Sequence, residues 1–367
     1  MRSLVVPLLA LGLAAAPEDP VRNAFESSVS ALSKNDLFAA ERGFQQVLSQ
    51  RPNHAGALGN LGVVYSRMGR FADAVRVYRQ ALKIAPSDPQ LNLNLGLAYL
   101  KQDDYKLAKP YVEKVLTAMP GHAQARELLA TAQLFTGEVV RAVETLEALR
   151  PTGGPSVLYL LSTAYLKQER KEDARQVIAE LFARLQPAQA HLLSGRAYYE
   201  STLFENAVAE LEKARDLDSA LPGLWRELGK TYVSLRRSED ARKALDEAVR
   251  RDAADIEARY FLGALLVQEG SVSEGVPYLE TAREARPEFW GSYYYLGKAA
   301  LARSAPVEAV RHLRKASDLR PDDSSVLYQL VRALRLAGLH EESSVVARRL
   351  GEVRHRTRER EQALVER

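Results

Sequence analysis

At 367 residues the chain has room for two or three globular domains or one long repeat array, and with no cysteine it has no disulfide, thiol nucleophile or lipid-modified N-terminal cysteine. Ala, Leu, Glu and Arg dominate and strand-favouring runs of Val, Ile and Thr are scarce, which argues against a parallel or sandwich sheet and for helix nearly throughout. The 51 basic and 47 acidic side chains leave a formal net charge of +4, too small to draw in nucleic acid by a global field, so any charge-driven recognition must be local.

Residues 1–16 read as a signal-peptide-like segment. One charge at Arg2 precedes an apolar run from Leu4 to Ala16. At about 1.5 Å per residue this run is too short to cross a bilayer core of about 30 Å as a helix, but it suits the apolar core of an export signal. Ala14, Ala15 and Ala16 supply a small-residue cleavage region, and Pro17 favours a cut after Ala14 or Ala15. The expectation is export to a periplasmic or extracellular space. The alternative is an apolar segment packed on the first helices of a cytoplasmic protein.

From residue 17 to 350 the chain is periodic. Repeats begin at Val21, Ala55, Pro89, Ala123, Pro155, Ala188, Pro222, Ile256, Trp290 and Ser324, with a step of 34 residues apart from one of 32 and one of 33. The eighth place of the repeat holds Ser28, Gly62, Gly96, Ala130, Ser162, Gly195, Gly229, Gly263 and Gly297, with Val331 as the exception. The twentieth holds Ala40, Ala74, Ala108, Ala142, Ala174, Ala207, Ala241, Gly275, Ala309 and Ser343. Mid-helix glycine costs about 1 kcal/mol relative to alanine, so its recurrence at the eighth place predicts two helices, A and B, that approach closely there. Leucines at the seventh place and tyrosines at the eleventh fill the space around the crossing. Pro52, Pro86, Pro120, Pro287 and Pro321 end helix B. Such a hairpin cannot bury its apolar faces alone and must stack on its neighbours.

With that period and those small residues, the chain from about residue 21 to 350 resembles the tetratricopeptide repeat family. The resemblance implies an all-α, right-handed superhelical solenoid of about ten hairpins. It also implies a concave wall lined by the A helices, where an extended peptide or a partner helix lies.

In chain order, the first four repeats place Phe25, Gly59, Leu93 and Glu127 at the fifth place and Val29, Val63, Leu97 and Thr131 at the ninth, an apolar stretch of wall. Asn60 and Asn94 at the sixth place resemble the start of the asparagine ladder of arrays attached to sugar transferases, but the ladder stops there. Gly59 and Val63 stand where the chaperone-tail carboxylate clamp has Lys and Asn, so that receptor is not expected. Residues 150–155, Arg-Pro-Thr-Gly-Gly-Pro, coincide with the 32-residue step and read either as a hinge or as a local loop in a continuous stack.

Beyond it, the fifth and ninth places become aromatic and basic. The resemblance turns both inward, and their spacing of four puts them on one helix face. The candidate groove residues are Tyr159, Arg196, Arg226, Lys230, Tyr260, Tyr294, Lys298, Tyr328 and Arg332. They suit a protein or peptide segment bearing carboxylates and apolar anchors. The alternative is that Tyr260, Tyr294 and Tyr328 pack between A helices while the cations are solvated. If the cations lie open on the wall, exchanging Lys230 and Lys298 for Glu should leave folding nearly unchanged.

No catalytic apparatus is legible. The six histidines, at 54, 122, 191, 312, 340 and 355, lack metal-ligand spacing, so no metal is expected. Gly56, Gly59 and Gly62 lie within a helix rather than on a strand-to-helix turn, so no phosphate site and no cofactor is expected. Residues 351–367 read as a charged C-terminal helix or tail. The expected function is a monomeric or weakly associating adaptor that assists assembly of a protein complex. The alternative is a nucleic-acid-associated helical repeat protein using its Arg-rich end.

Overall fold

The computed structural model describes residues 19–365, and the signal-like segment lies outside them. Among the described residues there are twenty helices and no strand. The chain divides into two compact units, Met1–Leu217 and Asp218–Arg367. The first holds six hairpins: α1 (Pro20–Ser33) with α2 (Leu37–Gln50), α3 (Ala55–Arg67) with α4 (Phe71–Ile84), α5 (Pro89–Leu100) with α6 (Tyr105–Ala118), α7 (Ala123–Phe135) with α8 (Val139–Leu149), α9 (Pro155–Lys167) with α10 (Lys171–Arg184), and α11 (Pro187–Glu200) with α12 (Phe204–Leu217). The second holds four: α13 (Leu224–Ser234) with α14 (Ser238–Arg251), α15 (Ile256–Gln268) with α16 (Val272–Ala285), α17 (Trp290–Ala302) with α18 (Pro306–Leu319), and α19 (Ser324–Leu336) with α20 (His340–Val365). Within each unit every A helix touches its own B helix and the A helix of the next hairpin, and every B helix also packs on the next A helix.

The local chemistry that makes each hairpin is repeated. Asp19, Asp88, Asp255 and Asp323 cap A helices by accepting from backbone N–H groups, and His54 and His122 do the same through Nδ1. Each A helix ends at a fifteenth place with positive φ. Glycine fills it four times, but Asn35, Asp103, Glu169, Thr202, Arg236 and Ser304 sit there with φ of 57° to 61°. This left-handed residue lets the next N–H reach back to the eleventh-place carbonyl, as Arg70 does to Tyr65 at 2.8 Å and Arg237 to Tyr232 at 2.9 Å. A side chain in this region costs about 1–2 kcal/mol, part of which glycine returns as chain entropy. Arg236→Gly with Ser304→Gly should therefore raise the stability of the second unit by about 1–2 kcal/mol, seen as a later urea midpoint with an unchanged slope. An earlier midpoint would refute the strain.

The close approach at the eighth place is built against the twenty-fourth. A Cβ added at Gly62 would lie 2.4 Å from the ring of Tyr78, and one added at Gly229 or Gly297 would lie 2.5 Å from Leu245 or Leu313. Tyr78 and these leucines are completely buried. In the last hairpin the eighth place is Val331, and the twenty-fourth is the small Ala347.

Residues 150–155 lie inside the first unit, and α7 touches α9 across them. Arg150 pairs with Glu147 and Glu180, and Arg184 donates to the Gly153 carbonyl at 2.9 Å. Residues 351–365, read as a charged helix or tail, continue α20, which runs from His340 to Val365. Leu350 and Val353 pack on Leu327.

Candidate functional site

The A helices of the second unit bring Arg226 and Lys230 (α13), Tyr260 (α15), Tyr294 and Lys298 (α17), and Tyr328 and Arg332 (α19) into register at the fifth and ninth places. They form three chemically different stretches.

The first stretch is ionic and closed. Arg226 reaches Asp255 at 2.7 Å, Glu227 at 3.2 Å and Glu257 at 3.3 Å, and Lys230 reaches Glu257 at 2.9 Å and Glu227 at 3.4 Å. The Lys230 side chain is only 11% exposed, and that of Glu227 is 7%. Burial lowers the Arg226 pKa, but the carboxylates around it outweigh that effect and hold it well above the ordinary arginine value. Lys230 is therefore not an open surface cation, and exchanging it for Glu would add a fourth carboxylate to a buried cluster. The expectation of nearly unchanged folding fails at this position. Besides Glu227, the counter-ions come from the next repeat, Glu257 at its second place and Asp255 at its helix cap, outside the face that carries Arg226 and Lys230.

The second stretch is aromatic. Tyr260 packs between hairpins, with ring centroids 4.7 Å from Phe289, 5.1 Å from Phe261 and 6.0 Å from Tyr295. Tyr294 lies against Trp290 and Tyr295, and the Tyr295 hydroxyl accepts from Gln268. Burial raises the pKa values of Tyr294 and Tyr295, which keeps them neutral hydrogen-bonding groups.

The third stretch carries cations without counter-ions. Lys298 is half-buried, with Nζ 5.1 Å from the Tyr295 ring centroid and 5.7 Å from that of Tyr294. Lys298 and Arg332 form no salt bridge among the described residues. Burial alone lowers the Lys298 pKa below its ordinary value, a desolvation that no carboxylate offsets. Tyr328 is 51% exposed, Arg332 is exposed beside it, and the buried Gln329 Oε1 has no hydrogen-bond partner.

In the first unit Arg196 lies over the Tyr159 ring at 5.0 Å. Asn94 accepts from Gln90, and its own Nδ2 is buried without a partner. Arg348, Arg349, Arg354, Arg356 and Arg358 of α20 are exposed, and Arg356 pairs with Asp322. Among the described residues no group of three His, Asp or Glu side chains could hold a metal ion, and no helix is long and apolar enough to cross a membrane.

These stacked hairpins with small crossing residues match sequence profiles described as TPR repeat over residues 64–103 and as tetratricopeptide repeat over 99–156, 159–222, 226–288 and 265–324. The chain belongs to the tetratricopeptide repeat family. It is 28% identical over 286 residues to cellulose synthase operon protein C of Xanthomonas axonopodis pv. citri (strain 306), covering 71% of this chain but 18% of that protein. It is 21% identical over 237 residues to TPR repeat-containing protein YpiA of Bacillus subtilis (strain 168), covering 63% of this chain and 56% of YpiA. The chain thus spans less than a fifth of the length of the first relative. Among solved structures, MamA from Desulfovibrio magneticus RS-1 aligns with a TM-score of 0.42 at 19% identity, over 47% of this chain and 97% of that one. The APC/C hetero-tetramer Cut9-Hcn1 aligns with a TM-score of 0.45 at 13% identity, over 91% and 87%. Proteins of this family are typically protein-interaction scaffolds.

Proposed function

We propose that this protein is a non-catalytic scaffold that holds a segment of a partner protein on the A-helix wall of its second unit. Lys298 carries the reading: a half-buried cation, desolvated by tyrosine rings and lacking a carboxylate, is costly in an isolated protein and is satisfied when a ligand brings the carboxylate. Tyr294 and Tyr328 supply apolar anchors on either side, and Arg332 offers a second cationic contact. The acidic preference therefore rests on α17 and α19 and not on Arg226 or Lys230.

A charge-assisted contact contributes about 1.5–3 kcal/mol, so losing two should weaken binding at least about tenfold. Labelled peptides graded in Asp and Glu content, titrated against the full chain, should bind in order of acidity. Lys298→Glu with Arg332→Glu should abolish that order while leaving the circular dichroism spectrum unchanged. Equal binding by the double variant would remove the acidic ligand and leave only the scaffold. We also propose that the protein works outside the cytoplasm, on the strength of the apolar run from Leu4 to Ala16. Cell fractionation that finds the uncleaved chain in the cytosol overturns this.

A further inference from the structure

Histidine takes an apolar place in the ninth hairpin. At the twenty-third place of the repeat, on helix B, the second and fifth hairpins carry Val77 and Val177, both buried. His312 holds that place in α18 and is only 4% exposed. Its ring centroid lies 6.5 Å from that of Tyr293 on α17. Its Nε2 is 3.8 Å from Glu308 Oε1, too far for a hydrogen bond, and that oxygen is already 3.0 Å from Arg303. The other charges around the ring are cationic: Arg311 on α18, Arg303 after α17, and Arg283 on α16, which pairs with Glu280. α19 also packs on α18, and its buried side chains are all apolar. The other two histidines of the second unit, His340 and His355, are exposed.

We propose that His312 is an acid sensor built into the second unit: when its imidazole takes up a proton, the ninth hairpin loosens and α18 parts more often from α17. A charged ring would stand among three arginines in a site closed to water, with a carboxylate that Arg303 already engages. Burial, and after it the charge of Arg311, holds the imidazole pKa below its ordinary value against the opposing pull of Glu308. The fold therefore favours the neutral ring, and the unfolded chain binds the proton more readily. This contribution to stability is complete above the ordinary imidazole value of about 6.5 and is lost as pH falls toward the lower value in the fold. Within that window one proton raises the opening equilibrium by up to about tenfold per pH unit. Asp246 in α14 cannot mimic the effect, because burial raises its carboxyl pKa and its protonation favours the fold. Since α17 carries Tyr294 and Lys298, the same opening would take apart the proposed wall. That consequence rests on the scaffold reading, and the test below does not depend on it.

Native-state amide exchange of the full chain, corrected for intrinsic rates, is compared at about pH 7.5 and about pH 5.5, where ordinary carboxylates stay ionised. Protection in α17 and α18 should fall several-fold, and protection in α5 and α6, a hairpin without histidine, should hold. His312→Val, which installs the residue of the second and fifth hairpins, should remove the fall, and His340→Gln with His355→Gln should keep it. The proposal is overturned if the parent shows no fall, or if the fall survives in His312→Val. Should the valine variant not fold, ring-proton magnetic resonance of the parent decides. His312 titrating below the histidines of the urea-unfolded chain supports the sensor, and titration at or above them overturns it.

Discussion

Arg226→Met is expected to lower the stability of the second unit by about 3–5 kcal/mol, the usual effect of removing one partner from a buried ionic cluster. Two carboxylates bear the loss, since Glu227 and Asp255 have side chains only 7% and 10% exposed. Both tryptophans, Trp225 in α13 and Trp290 in α17, lie in this unit, so urea unfolding followed by their fluorescence reports on it selectively. A midpoint within about 0.5 kcal/mol of the parent would show that water already screens the cluster. Lys230→Glu should fall in the same direction, and for that reason it reports folding and not ligand contact.

Gly229→Val should destabilise the same unit by about 3 kcal/mol, and Leu245→Ala should partly rescue it. The new side chain has no room, since even a Cβ would lie 2.5 Å from Leu245 Cγ and 2.6 Å from Cδ2. Overpacking of this kind costs about 1–3 kcal/mol or more, and Leu245→Ala alone costs about 2–5 kcal/mol as a cavity. The double variant should be more stable than the sum of the singles predicts by over about 1 kcal/mol, because the two residues exchange volume. The chain already contains such an exchange in the Val331 and Ala347 pairing of its last hairpin. Strict additivity in a double-mutant cycle would sink the idea.

Much of the fold was legible because hairpin geometry forces small residues into fixed places. Ala55, Pro89, Ala123, Pro155, Ile256, Trp290 and Ser324 are both predicted repeat starts and observed first residues of A helices. The left-handed fifteenth place is not legible in the sequence, because Glu169, Thr202, Arg236 and Ser304 give no glycine signal there; the backbone bond of the turn imposes the conformation on whatever residue arrives. The division near residue 218 leaves no mark on the period, since the 34-residue step runs through it unchanged. The candidate wall was legible in its positions but not in its charge. The sequence sets Arg226 and Lys230 at inward places, yet besides Glu227 on their own helix their counter-ions come from the cap and second place of the following repeat, 27 to 31 residues on, where a scan along one helix face does not look. Lys298 has the same place in the pattern, but the second place after it is Ser325, and no carboxylate arrives.

The packing of each helix only on near neighbours in the chain has a kinetic consequence. Contacts span little more than one repeat, so contact order is low, and within a unit folding can begin at any hairpin and spread in either direction. Damage should stay local in the same way. Amide exchange in a variant such as Gly229→Val should accelerate most in α13 and α14, less in α15, and hardly at all in α19, giving a gradient of protection along the stack in place of uniform collapse.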